Sequence, residues 1–113
     1  DFSQAVNFYR KVPVDHERTS EAIRGLSEIA FVQGHSEQVE FWLQRGRKDY
    51  PSKFLDSWVD YALARVALQT GDSKKAWKIR HEAENRYPPS DPWLTLLQAS
   101  LESFEWKGTS RKR

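Results

Sequence analysis

A reactive centre needs acid–base, nucleophilic or metal-binding groups brought together. The chain has three histidines, His16, His35 and His81, each about a helix length or more from the next. None has a partner three or four residues on that completes a metal site. His81-Glu82-Ala83-Glu84 opens like a zinc-protease helix but lacks its second histidine. His35 sits in a glycine turn and reads as a loop polar residue. The carboxylates are scattered at helical surface spacing, where solvated ion pairs are the usual outcome. There is no glycine-rich phosphate loop and no cysteine. The residues therefore predict no catalytic centre, no metal site and no cofactor. Recognition is the chemistry they do support. Trp58, Tyr61 and Arg65 stand at i, i+3 and i+7, on one face of a helix, and these residue types dominate binding hot spots.

The elements that position them follow from an internal repeat. Gly34-His35-Ser36 recurs as Gly71-Asp72-Ser73, and Tyr50-Pro51 recurs as Tyr87-Pro88, both 37 residues later. Two independent punctuation marks with one spacing indicate stacked helical hairpins. Ile23, Leu26, Ala30 and Phe31 fall at helical spacing before Gly34, with Asp15 as N-cap. They predict a first helix over 16–33. Ser36 would cap a second helix carrying Val39, Trp42, Leu43 and Gly46 on one face, and Pro51 would end it.

The next unit repeats the plan. Phe54, Leu55, Trp58, Ala62, Leu63 and Val66 predict a helix closing at Gly71. Asp72 or Ser73 caps its mate, which buries Ala76, Ile79 and Ala83 and stops at Pro88. Asp91 as N-cap with Pro92 at the first helical position opens a further helix through Trp93, Leu96, Leu97, Leu101 and Phe104. Gly108, 37 residues after Gly71, marks the next turn. Ala5, Tyr9 and Val12 match Val39, Leu43 and Gly46 at a 34-residue offset, so the chain begins on a second helix. The expected organisation is one repeat domain: a half repeat 1–14, repeats 15–51 and 52–88, a half repeat 89–108 and a basic tail 109–113. It reads as part of a longer protein.

At 38% hydrophobic and 30% charged over 113 residues, the chain can bury a modest core. No long uncharged apolar run suits membrane insertion. Eighteen basic against sixteen acidic residues are too balanced to point to nucleic acid. Arg111-Lys112-Arg113 reads as a solvated end. The absence of cysteine leaves the compartment open, cytoplasm or bacterial periplasm.

A Leu followed by a small residue, a glycine turn, a small residue deep in helix two and a closing Pro resemble the tetratricopeptide repeat, whose usual unit is 34 residues. With Ser20 and Ser57 as first residues, Leu26 and Leu63 take the family's Leu, and Ser27 and Ala64 its small residue. Ala30 and Ala67 take the helix-one packing position, Gly34 and Gly71 the turn, and Val39 and Ala76 the small residue of helix two. Gly46 and Ala83 take the late small residue, and Pro51 and Pro88 the closing Pro. The family's early Trp is absent, with Ile23 and Asp60 in its place. The usual helix-two aromatic is present as Tyr9 but becomes Leu43 and Arg80. The 37-residue step with Tyr-Pro closures is similar to a divergent subgroup in bacterial cell-envelope and secretion-assembly proteins.

The resemblance implies an all-α fold of antiparallel hairpins stacked as a right-handed solenoid, non-catalytic and protein-binding. It implies a concave groove lined by Glu21, Arg24, Glu28, Phe31 and Val32, then by Trp58, Tyr61, Arg65, Leu68 and Gln69. From these, Arg24, Glu28, Phe31, Trp58, Tyr61, Arg65 and Gln69 are the expected partner-binding residues. Aromatic and charged groups together suit an extended or helical peptide. Members that clamp a C-terminal carboxylate use Lys and Asn on their first helices. Here Arg24 stands at the Lys position, but Glu28 and Ala62 stand where Asn is expected, and Glu28 would repel a carboxylate. Self-assembly through the open half repeats is the alternative, since Phe8, Tyr9 and Val12 would lose their covering helix. RNA binding is a second alternative, disfavoured because Glu21 and Glu28 offset Arg24 and Arg65.

Overall fold

The computed structural model describes residues 16–111. Among the described residues it is all-helical, with no strand. The elements are α1 (His16–Gln33), α2 (Ser36–Asp49), a 3-10 turn (Pro51–Lys53), α3 (Ser57–Gln69), α4 (Ser73–Glu84) and α5 (Pro92–Arg111). The chain divides into two compact units, one ending at Phe54 and the other beginning at Leu55. The expected half repeat 1–14 and the Asp15 cap lie outside the described residues.

In the first unit α1 packs on α2. The reversal is made at Gly34, whose φ of +76° is open only to glycine at low cost. The Gly34 amide donates to Phe31 O at 3.1 Å and the His35 amide to Ala30 O at 2.9 Å. This is a Schellman closure, which satisfies the last carbonyls of α1. Ser36 does not cap α2 as expected. The N-cap position is His35, with no side-chain hydrogen bond, and Ser36 is already helical. The buried stripe of α2 is Val39, Trp42, Leu43 and Gly46, as the spacing predicts. Ile23, Ala30 and the small polar residues Ser20 and Ser27 are the buried positions of α1.

The end of α2 is fixed by one close approach. Asp49 is its last residue, and Tyr50 donates its amide to Gly46 O at 2.7 Å. Pro51 then starts the 3-10 turn, which delivers Phe54 back onto Gly46. A Cβ at Gly46 would lie 2.6 Å from Phe54 Cε1 and nearer still to its Cζ. Arg47 Nε donates to Phe54 O at 3.1 Å and holds the returning segment. Phe54 and Leu55 are therefore not part of the next helix, contrary to the sequence reading. Phe54 is a buried plug on α2, Leu55 is exposed, and Asp56 occupies the N-cap position of α3.

In the second unit α3 packs on both α4 and α5, and α4 packs on α5. Gly71 repeats the Gly34 turn bond for bond: φ is +86°, its amide donates to Leu68 O at 3.1 Å, and the Asp72 amide donates to Ala67 O at 2.8 Å. Asp72 caps α4 by accepting from Lys75 N at 3.1 Å. The core gathers Ala64, Ala67, Ala76, Leu97 and Leu101, flanked by Tyr61, Leu68, Trp77 and Ile79. Three alanines here let the helices approach closely.

Asp60 has a defined role. It is 2% exposed, accepts from the Tyr87 hydroxyl at 2.7 Å and faces Arg86 Nη1 at 3.5 Å. The same hydroxyl also reaches Leu55 O. The tyrosine of the Tyr-Pro closure thus ties the end of one hairpin to the start of its own first helix. It also explains why α4 ends at Glu84, well before Pro88. Tyr87 must leave the helix to reach Asp60, and Pro88 already biases it away from helical ψ.

α5 begins as predicted, with Asp91 Oδ1 accepting from Trp93 N at 2.9 Å and Leu94 N at 3.1 Å. It does not turn at Gly108. The helix runs on to Arg111, through the expected boundary at 108 between the half repeat 89–108 and the basic tail 109–113. α5 has 20 residues against 13 in α3, so Gly108 falls inside it even though α5 begins 35 residues after α3, two earlier than a 37-residue step.

Candidate functional site

The candidate site is the cleft between α3 and α5. Three ties set the two helices side by side in the same direction. Ser57 Oγ donates to Asp91 Oδ2 at 2.8 Å, using the carboxylate oxygen that the α5 cap leaves over. The Tyr61 ring lies 5.1 Å from Trp93, tilted by 41°. Arg65 Nη1 donates to Ser100 Oγ at 3.0 Å. Beyond these ties an open cleft of about 440 Å³ is lined by Arg65, Leu68 and Gln69 on one wall and Ala99, Ser100, Ser103 and Phe104 on the other.

Arg65 is the centre of the cleft. Its guanidinium carbon lies 5.9 Å from the Tyr61 ring centroid, a cation–π contact that orients the plane. Among the described residues no carboxylate pairs with it. Asp60, five residues back on α3, bonds to Tyr87 and faces Arg86. A guanidinium has five N–H donors, and one goes to Ser100. The rest suit a carboxylate or a peptide carbonyl. Gln69 is exposed at the rim, Leu68 is half-buried, and Phe104 is partly exposed on the facing wall.

The expected site residues fall in two places. Trp58 is only 9% exposed, so it belongs to the interior more than to a surface a partner could reach. Tyr61 is half-buried between α3 and α5 and presents less surface than its sequence position suggests. Arg65 and Gln69 line the cleft. Arg24, Glu28 and Phe31 lie on α1, in the first unit. Arg24 is half-buried and faces the exposed Glu28 at 3.8 Å, and Phe31 is half-buried one turn from Gly34. Arg24 also lines a smaller hollow of about 250 Å³ with Ser20, Glu21 and Lys53.

The α5 wall was not found from the sequence. Carrying the 37-residue register onward points to Thr95, Gln98 and Glu102, which face elsewhere. The usable signal is the N-cap step from Asp56 to Asp91, which sets Ala99 and Ser103 opposite α3. Among the described residues no group of three or more histidine or acidic side chains is placed to hold a metal ion. His81 is well exposed, with only Glu84 at 3.8 Å. No described helix is long and apolar enough to cross a membrane. No protein-family model, curated protein or solved structure significantly matches the chain.

Proposed function

We propose that this protein is a non-catalytic peptide-binding module of tetratricopeptide type, stacked as a right-handed solenoid, in which α3 and α5 are successive first helices lining the groove. The observation that carries the reading is the α3–α5 cleft, lined by a guanidinium that has no acidic partner among the described residues. A buried or half-buried charge favours a compensating one, and the hydroxyls of Ser100 and Ser103 with the Gln69 amide extend the polar floor. Leu68 and Phe104 supply apolar ground at one end. The ligand class is an extended segment carrying an Asp or Glu next to an apolar residue, within a protein partner such as a component of a cell-envelope or secretion complex.

The test is fluorescence anisotropy with a pool of acidic nonapeptides and a matched basic pool. The acidic pool binds and the basic pool does not. Arg65→Ala with Gln69→Ala weakens binding by about 2 kcal/mol, the usual size of a hot-spot loss, and leaves the circular dichroism melt nearly unchanged. Equal binding of both pools, or an unaffected double variant, refutes the reading.

A second reading is self-assembly. Pro92, Leu96, Ala99 and Ser103 form an exposed, uncharged stripe along α5 that a second copy could cover. Light scattering at two concentrations separates the two readings.

A further inference from the structure

A second cleft lies between α4 and α5, separate from the groove just described. It holds about 400 Å³, within the range of small-ligand sites, and its lining is mainly apolar. Leu94 is buried beside it, Tyr87 and Pro89 line it from the connection between the helices, Arg80 lines it from α4 and Gln98 from α5. The Tyr87 hydroxyl is committed to Asp60 and Leu55 O, so its ring is a fixed wall.

The two polar residues are each half satisfied. Arg80 pairs with Glu84 through Nη1, but its Nε is buried without a hydrogen-bond partner. Gln98 donates through Nε2 to Glu102 Oε1 at 2.5 Å, but its Oε1 is buried without a partner. The Glu102 bond fixes which end of the amide is oxygen, because a carboxylate only accepts. Two residues lining one cleft therefore carry an unused donor and an unused acceptor. Buried polar groups in folded proteins are almost always paired, and an orphan asks for an explanation.

We propose that this cleft is a second binding site, taking an apolar peptide segment that gives one backbone carbonyl to Arg80 Nε and one backbone N–H to Gln98 Oε1. A peptide backbone carries the two complementary groups side by side. An aliphatic side chain next to them fills the space against Tyr87, Pro89 and Leu94. The terminal torsion of Gln98 is broad enough to turn Oε1 toward the cleft, and the proposal requires the Arg80 side chain to turn its Nε the same way. The proposal does not depend on the acidic-peptide reading of the α3–α5 groove.

The experiment uses N-acetyl-leucine methylamide as probe, titrated into ¹⁵N-labelled protein. Saturable shifts are expected at the amides of Tyr87, Leu94 and Thr95 and at the Arg80 Nε–H. Methylating both probe nitrogens, which keeps the carbonyls and removes the donors, weakens binding about five-fold, the size of one net hydrogen bond. Arg80→Lys keeps the charge facing Glu84 and loses Nε. Gln98→Leu keeps the bulk and loses the acceptor. Each variant weakens the probe about five-fold while amide dispersion is retained. Shifts confined to Arg65, Gln69 and Ser100, no saturable shift at all, or equal affinity for the methylated probe overturns the proposal. So does a through-bond coupling from Arg80 Nε–H to Gln98 in the free protein, which would show that the two atoms satisfy each other.

Discussion

Gly46→Ala is the sharpest test of the packing. In an exposed helix interior this change stabilises by about 0.8–1.0 kcal/mol, because alanine loses less backbone freedom. At Gly46 the added carbon meets the ring of Phe54, 2.6 Å from Cε1 and closer to Cζ. Phe54 has no ready escape. It is wholly buried, and its backbone carbonyl is tied by Arg47 at 3.1 Å. Overpacking of this kind costs about 1–3 kcal/mol. The net expectation is a loss of up to about 2 kcal/mol where propensity alone gives a gain. The decisive background is Phe54→Leu, which destabilises by itself but removes the ring tip. There Gly46→Ala should become neutral or stabilising by up to about 1 kcal/mol. Urea unfolding followed by circular dichroism gives the double-mutant cycle, and amide exchange along α2 localises it to the first unit. If Gly46→Ala stabilises the otherwise unaltered protein, the Phe54 contact is wrong.

Ala76→Leu adds three heavy atoms to the core of Ala64, Ala67, Leu97 and Leu101, and should cost about 1–3 kcal/mol in thermal unfolding; an unchanged melting temperature refutes the register. Tyr87→Phe keeps the ring and deletes the hydroxyl shared by Asp60 and Leu55 O, and should cost about 1–3 kcal/mol in urea unfolding; an unchanged midpoint would show that the hydroxyl holds nothing. Asp91→Ala should cost about 2 kcal/mol by removing both the α5 cap and the Ser57 bond, while Asp91→Asn keeps the capping oxygen and loses less; equal losses for the two would show that the cap contributes nothing.

Helix positions were legible because they depend on local signals. Gly34 and Gly71 announce turns that need positive φ, and Asp72 and Asp91 announce caps, all within a few residues of their effect. The buried stripe of α2 follows from spacing alone. What was not legible depends on partners far along the chain. Phe54 reads as a helical core residue, and only the 3-10 turn shows it plugging Gly46. Asp60 reads as a misfit until Tyr87 is seen 27 residues away. Gly108 reads as a turn, because a period measured on one pair of glycines does not register that α5 is seven residues longer than α3. The candidate site was half legible for the same reason. Arg65 and Gln69 follow from a face of α3, whereas Ser100 and Phe104 require the actual offset of α5.

The two oxygens of Asp91 serve different helices. One holds the first turn of α5, and the other holds the first residue of α3, 34 positions earlier. Fraying of either helix start therefore releases a bond belonging to the other. Opening motions at these two distant stretches of chain should rise and fall as one cooperative event, with matched exchange rates for the amides of Val59, Trp93 and Leu94. A ligand that steadied one wall of the groove would by the same link slow the opening of the opposite wall.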